Sequence, residues 1–154
     1  MKYEIDIKER AEKAKAFFQD GYNCSQSVFM AYADLFDLDV ELASKFASSF
    51  GGGMGRLREV CGACTGMFMV AGLLKGYADT DDKEAKDNHY KLIQELANEF
   101  KAVYGTYNCN ELLGNIGKGT YVSSPRTAEY YKTRPCVNFV VTAAEILEKK
   151  FFNN

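Results

Sequence analysis

The chain has 154 residues, 47% of them apolar and 26% charged, with a formal net charge of −2. A domain of this length buries roughly 68–70% of the surface its unfolded chain would expose, so it can hold a core without metal or disulfide. With no Lys/Arg block, nucleic acid is not an expected partner. The charged segment Met1–Arg10 does not suit a signal peptide, and the most apolar stretch, Met67–Leu74, is far short of the ~20 residues of a membrane span.

Helical periodicity dominates. Ile7, Ala11, Ala14 and Phe18 recur at steps of three and four, predicting a helix over Asp6–Gln19 that Gly21 ends. A second helix is expected over Asn23–Phe36, with Val28, Tyr32 and Leu35 on one face. Asp39 reads as the N-cap of a third, running through Phe50. The run Gly51-Gly52-Gly53-Met54-Gly55 suits neither helix nor strand. Val60–Tyr77 reads as a helix apolar on most sides, and hence buried centrally. Thr80 is expected to cap a long helix to Tyr104, striped by Ile93, Leu96, Ala97, Phe100 and Val103 and stopped by Gly105; the acidic run Asp79–Asp82 reads as its solvated start. Residues 106–133 are less regular: a short helix over Asn108–Leu113, then Gly114, Gly117, Gly119 and Pro125 marking loop. Pro135 fits the first turn of a last helix, which Val137, Val140, Val141, Ala144 and Leu147 carry to about Phe151. No alternating strand and no repeat is found. The expected fold is all-α: one domain over residues 1–154, a bundle of about five main helices around a buried central helix.

Five cysteines stand out on that map. With no targeting segment in view, the expected compartment is the cytoplasm, whose reducing poise makes structural disulfides improbable. Free cysteine is often a small buried hydrophobe. Here, however, Cys24, Cys61, Cys64, Cys109 and Cys136 all fall in expected first helical turns, two of them within Tyr-Asn-Cys, where Asn is a natural cap. Unsatisfied N–H groups and the helix dipole favour thiolate there. A thiolate is both the nucleophile of disulfide exchange and the metal-ligand form. Cys61-Gly62-Ala63-Cys64 is also a Cys-x-x-Cys, but it follows a Gly-rich loop rather than a strand, which argues against a thioredoxin fold.

These residues carry a resemblance. Gly21-Tyr22-Asn23-Cys24-Ser25-Gln26-Ser27, the run from Phe50 through Gly55 to Cys61-Gly62-Ala63-Cys64-Thr65-Gly66, and then Cys109 and Cys136 resemble the redox-active family named for its C…GCAxxG…C…C pattern. The resemblance implies that Cys24, Cys61, Cys109 and Cys136 are the four signature cysteines, and it implies a redox role. Cys64 occupies a position the pattern leaves open, so it reads as an addition in this chain.

Other residues have mainly structural expectations. The glycines are expected to let the backbone pass close to the cysteines; Gly51, Gly52, Gly53, Gly55 and Arg56 are also candidates for contact with an anion or cofactor. Arg56 and Arg58 read as solvated loop charge, unless either points inward and lowers the Cys61 pKa. Glu59 is expected to cap the central helix, His89 to face solvent, and Tyr22 and Tyr107 to pack beside the capping Asn residues.

Three functions remain open. The first is thiol–disulfide exchange or electron transfer, an oxidoreductase with Cys61 attacking and Cys64, Cys24, Cys109 or Cys136 resolving; its partner would be a redox protein or a small thiol or disulfide. The second is a metal site in which Cys24, Cys61, Cys109 and Cys136 bind zinc or an iron–sulfur cluster. The third is a non-enzymatic helical interaction module, including a homo-oligomer, with the cysteines as packing. A c-type haem is not supported, because Thr65 follows Cys64 where His would be required.

Overall fold

The computed structural model describes residues 7–114 and 120–152. Asp6, Gly117 and Gly119, assigned above to helix and loop, lie outside the described residues. Within them the chain is all-α. In order come α1 (Ile7–Gln19), α2 (Cys24–Met30), α3 (Val40–Ala47), the single turn α4 (Gly51–Met54), α5 (Gly62–Lys75), α6 (Lys83–Tyr104), α7 (Cys109–Leu113), α8 (Ala128–Thr133) and α9 (Cys136–Leu147). Short 3-10 turns cover Ala33–Phe36 and Ser48–Phe50, and α9 widens into a π turn over Glu148–Phe152.

The expected second helix is broken. It leaves α-geometry after Met30, and its remainder is a 3-10 turn closed by Asp37 at φ 53°. Tyr32 sits at the break; its hydroxyl donates to the Ala144 carbonyl of α9 at 2.8 Å, and its ring stacks on Phe152. Arg10 of α1 fastens the same place, donating to the Ala31 carbonyl at 2.8 Å and pairing with Asp34. Asp39 caps α3 as expected, accepting from Leu42 N–H at 3.2 Å. The cap of α6 is Asp82, not Thr80: its carboxylate accepts from Ala85 N–H at 2.9 Å. A carboxylate there also complements the positive end of the helix dipole. Pro135 stands at the N-cap of α9, one place before the expected first turn. The helix α8 was not expected; Thr127 starts it by accepting from Tyr130 N–H at 3.2 Å.

One core runs through the bundle. α2 packs on α1, α3, α5 and α9, and Ser25 together with Ser27–Ala33 is buried. α5 is buried through Met67, Val70 and Ala71, as its apolar sequence implies, whereas Leu73 beyond them is 46% exposed. α2 and α5 approach closely because Gly62 and Gly66 face α2. A Cβ on Gly62 would lie 3.1 Å from Ser25 N, and one on Gly66 would lie 2.7 Å from the Ser25 carbonyl oxygen. The two glycines of the CGAxxG segment are thus one helical turn apart on the packed face of α5. Among the described residues no helix is long and apolar enough to cross a membrane.

Candidate functional site

Each cysteine is positioned by the start of a helix. Cys24 opens α2 behind a reciprocal cap: Asn23 Oδ1 accepts from Gln26 N–H at 2.9 Å, and Gln26 Oε1 accepts from Asn23 N–H at 3.0 Å. Both side chains also reach the α3 region, Asn23 Nδ2 donating to the Ser48 carbonyl and Gln26 Nε2 to the Ser44 carbonyl, each at 3.1 Å. Cys109 opens α7 behind Asn108, whose Oδ1 accepts from Glu111 N–H at 3.0 Å. Cys136 opens α9.

Cys61 is the N-cap of α5, and no side chain caps that helix. Glu59, expected there, is exposed instead. Its backbone has a different task. Val60 and Asn108 form an isolated antiparallel bridge, flanked by Cys61 N–H donating to the Tyr107 carbonyl at 2.8 Å and Cys109 N–H donating to the Glu59 carbonyl at 2.6 Å. This bridge sets the starts of α5 and α7, with Cys61 and Cys109, side by side.

The glycine run makes the approach possible. Gly52, Gly53, Met54, Gly55, Arg56 and Arg58 all have φ between 60° and 73°. The chain folds back on itself there, Arg58 N–H bonding to the Gly52 carbonyl and Glu59 N–H to that of Gly53. A Cβ on Gly53 would lie 2.6 Å from Cys109 Cβ, and one on Gly51 would lie 2.4 Å from Asn23 Cγ. The glycines do let the backbone pass against the residues that hold the cysteines. Left-handed φ at three side-chain-bearing residues is strained, and such strain concentrates at functional sites. It turns Arg58 inward: the residue is 7% exposed and donates from Nη1 to Cys109 Sγ at 3.6 Å. Its neighbour there is Cys109, where the sequence had suggested Cys61.

All five cysteines are free. Cys24, Cys61, Cys109 and Cys136 line one cavity of about 300 Å³, together with Gly51, Gly52, Gly53, Gly55, Arg56 and Arg58. Cys64 is not in the lining; it lies behind Cys61, fully buried in the core. The thiols interact in pairs. Cys24 lies against Cys136, and Cys64 against Cys61, closely enough for each pair to set its own ionisation. The contact with Cys136 holds the Cys24 thiol well above the ordinary range, with burial and the neighbouring cysteines adding to it. The same contact pushes Cys136 down to about 7; burial opposes this, and Arg134, Arg126 and Arg58 reinforce it. Its place at the start of the twelve-residue α9 acts in the same direction. Burial raises the Cys109 thiol, and the Arg58 hydrogen bond opposes that rise. The contact with Cys61, then burial, pushes Cys64 far up.

Part of the cavity lining is not marked by any motif of the sequence. Arg126, Tyr130 and Arg134 line it, from α8 and its flanks. Arg126 donates to the carbonyls of Phe18 at 3.1 Å and Tyr22 at 2.9 Å, while Arg134 donates to Ser124 Oγ at 3.1 Å. Both guanidinium groups lie against the Tyr130 ring, at 4.7 Å and 5.2 Å from its centroid. Burial and the charge of Cys136 push the Tyr130 hydroxyl up to about 12, so it stays protonated near neutrality. The available signal was Thr127 as a cap, with Arg126, Tyr130 and Arg134 at steps of four.

Of the remaining candidates, Tyr22 packs edge-on against Phe17, and Tyr107 is 37% exposed with Lys101 over its ring. His89 is half-buried against Tyr77 on α6 rather than facing solvent, and it is not in the cavity lining. A metal would need three or more ligands converging. Among the described residues no three His, Cys, Asp or Glu side chains are gathered closely enough to hold an ion. The paired thiols do not form such a cage for zinc or an iron–sulfur cluster.

A family model described as "Putative redox-active protein (C_GCAxxG_C_C)" matches residues 22–150. That span includes all five cysteines and every arginine of the cavity wall. Comparison with curated proteins and with solved structures returns no match.

Proposed function

The chain belongs to the redox-active C_GCAxxG_C_C family, and from that premise we propose that it performs thiol–disulfide exchange through the pair Cys136 and Cys24. The observation that carries this reading is that Cys24 and Cys136 open two different helices onto one cavity, where the Cys136 thiol is pushed down to about 7. Attack on a disulfide requires a thiolate. Cys136 supplies it, in place of the Cys61 that the sequence singled out. The reacting disulfide accepts the Cys136 electron pair at one sulfur, its S–S bond breaks, and the first leaving thiolate departs. Cys24 then attacks Cys136 Sγ in the mixed disulfide and releases the second thiol. The proton that Cys24 held goes to a leaving thiolate. The protein ends with a Cys24–Cys136 disulfide, two electrons having passed to the substrate; the reverse sequence oxidises a dithiol.

A thiol at pKa about 7 is half ionised at pH 7, against roughly 3% for an ordinary thiol near 8.5. The lower pKa also costs intrinsic nucleophilicity, about fivefold for that difference at a Brønsted slope near 0.45. The net rate advantage at pH 7 is therefore only about threefold, so the pH midpoint is the sharper signature. In the reduced protein, site-resolved alkylation of Cys136 is expected to be half-maximal near pH 7 and to fall about tenfold per unit below it. Cys24 should stay unmodified across that window. Alkylation that begins at Cys61, or a Cys136 midpoint at or above an ordinary thiol's, would overturn the assignment.

A further inference from the structure

The chain carries a net charge of −2, yet among the described residues four arginines and no carboxylate line the cavity. Acidic residues are not scarce; Asp and Glu number 21 against 19 Lys and Arg. Elsewhere cations meet carboxylates, as the buried Arg10 meets Asp34 and the exposed Lys150 meets Glu95. In the wall, Arg56 and Arg134 are instead held by neutral oxygens, the Thr120 carbonyl at 3.0 Å and Ser124 Oγ at 3.1 Å. Each uses one nitrogen in that bond, so a guanidinium fork retains further donors for a ligand. The Cys136 thiolate supplies one negative charge against these arginines, which leaves an excess of positive charge that favours an entering anion.

We infer that the substrate taken by this thiol pair is a small disulfide bearing anionic groups at both ends, recognised by Arg56 and Arg134 of the cavity lining. The inference rests on the exchange reading above and adds the substrate class to it. The volume of about 300 Å³ is at the small end of the roughly 300–1,000 Å³ of small-molecule sites, which favours a low-molecular-weight disulfide over a folded partner's loop. Arg–carboxylate contacts are frequently bidentate and fix orientation as well as position. Two such contacts would hold a dianion in the cavity that Cys136 lines. The exchange then runs as written above, with the leaving groups as two anionic thiols. Their negative charge is held by the same arginines.

The test compares three disulfides of similar length in single turnover with the reduced protein: dithiodipropionate (dianionic), hydroxyethyl disulfide (neutral) and cystamine (dicationic). Each rate is divided by that of the same disulfide with free mercaptoethanol, which removes intrinsic reactivity. The dianion is expected to be favoured over the neutral compound by at least ~10-fold at low ionic strength, with cystamine slowest. The preference should shrink as salt is added. Arg56→Gln and Arg134→Gln should each lower the dianion-to-neutral ratio several-fold. That ratio is insensitive to any change in the Cys136 pKa, because both rates share one thiolate. A flat or reversed order, with exchange still running through Cys136, overturns the anion inference and leaves the exchange reading standing. If no disulfide reacts, the exchange reading falls, and calorimetric binding of suberate, the unreactive carbon analogue of the dianion, decides the rest. Binding that Arg134→Gln weakens keeps the site anion-specific, and no binding overturns it.

Discussion

Cys24→Ala is expected to stall exchange at the mixed disulfide. With its partner thiol gone, Cys136 can attack but nothing resolves the product, so an adduct on Cys136 should accumulate to near one equivalent and be visible in the intact mass. The wild-type chain should pass through the same adduct and release it. A second effect follows from the same substitution. The contact with Cys24 is the leading cause of the low Cys136 pKa, so its loss should move the alkylation midpoint upward from about 7 towards an ordinary thiol's. The arginines remain, so the return should be partial. At pH 6.5 that upward movement slows alkylation several-fold, the direction being set by the smaller thiolate fraction. Cys64→Ala provides the contrast. That thiol is outside the cavity lining and lies against Cys61, so neither the adduct nor the midpoint of Cys136 should change.

Gly66→Ala is expected to lose stability although alanine is the better helix former. The new Cβ would be 2.7 Å from the Ser25 carbonyl oxygen and 3.0 Å from Val28 Cβ. Neither is the loose end of a flexible side chain, so α2 and α5 would have to part. Overpacking of this kind costs about 1–3 kcal/mol, and the propensity gain of about 1 kcal/mol only partly offsets it. The displacement also reaches the site, because α2 carries Cys24 and α5 starts at Cys61. Gly72→Ala on the same helix should do the opposite. No atom lies within 4 Å of its built Cβ, so the gain of about 1 kcal/mol should appear unopposed. Urea unfolding of the two variants reads the difference. A Gly66→Ala chain as stable as wild type would refute close packing as the role of this glycine.

Much of this organisation was legible in the sequence because it is local. A cap next to a cysteine needs only neighbouring residues, so Asn23 and Asn108 marked the starts of α2 and α7, and all five thiols do fall at helix starts. The α6 stripe from Ile93 to Phe100 was visible for the same reason, although Val103, expected to extend it, is 60% exposed; so was the apolar run of α5. What escaped depends on long-range contact. Tyr32 bonds to Ala144, 112 positions away, at the break in the second helix, and no local pattern announces that. α8 is only six residues long and lies among turn formers, so its periodicity had no length in which to show. Arg126 and Arg134, which flank it and line the cavity, were missed with it. The pairing of thiols was equally hidden: Cys-x-x-Cys spacing drew attention to Cys61 and Cys64, whereas the pair facing the cavity joins Cys24 to Cys136 across the chain. The acidic cap of α6 shows a smaller limit, since Thr80 and Asp82 are both good caps and only the geometry of the turn chooses between them.

The most direct measurement is a disulfide map of the pure, metal-free reduced chain after reaction with one equivalent of dithiodipropionate. Free thiols should fall from the five of the sequence by the two of one bond, and digestion should yield the Cys24 and Cys136 peptides joined. A link between Cys61 and Cys64, or a chain that keeps all its thiols, would contradict the account.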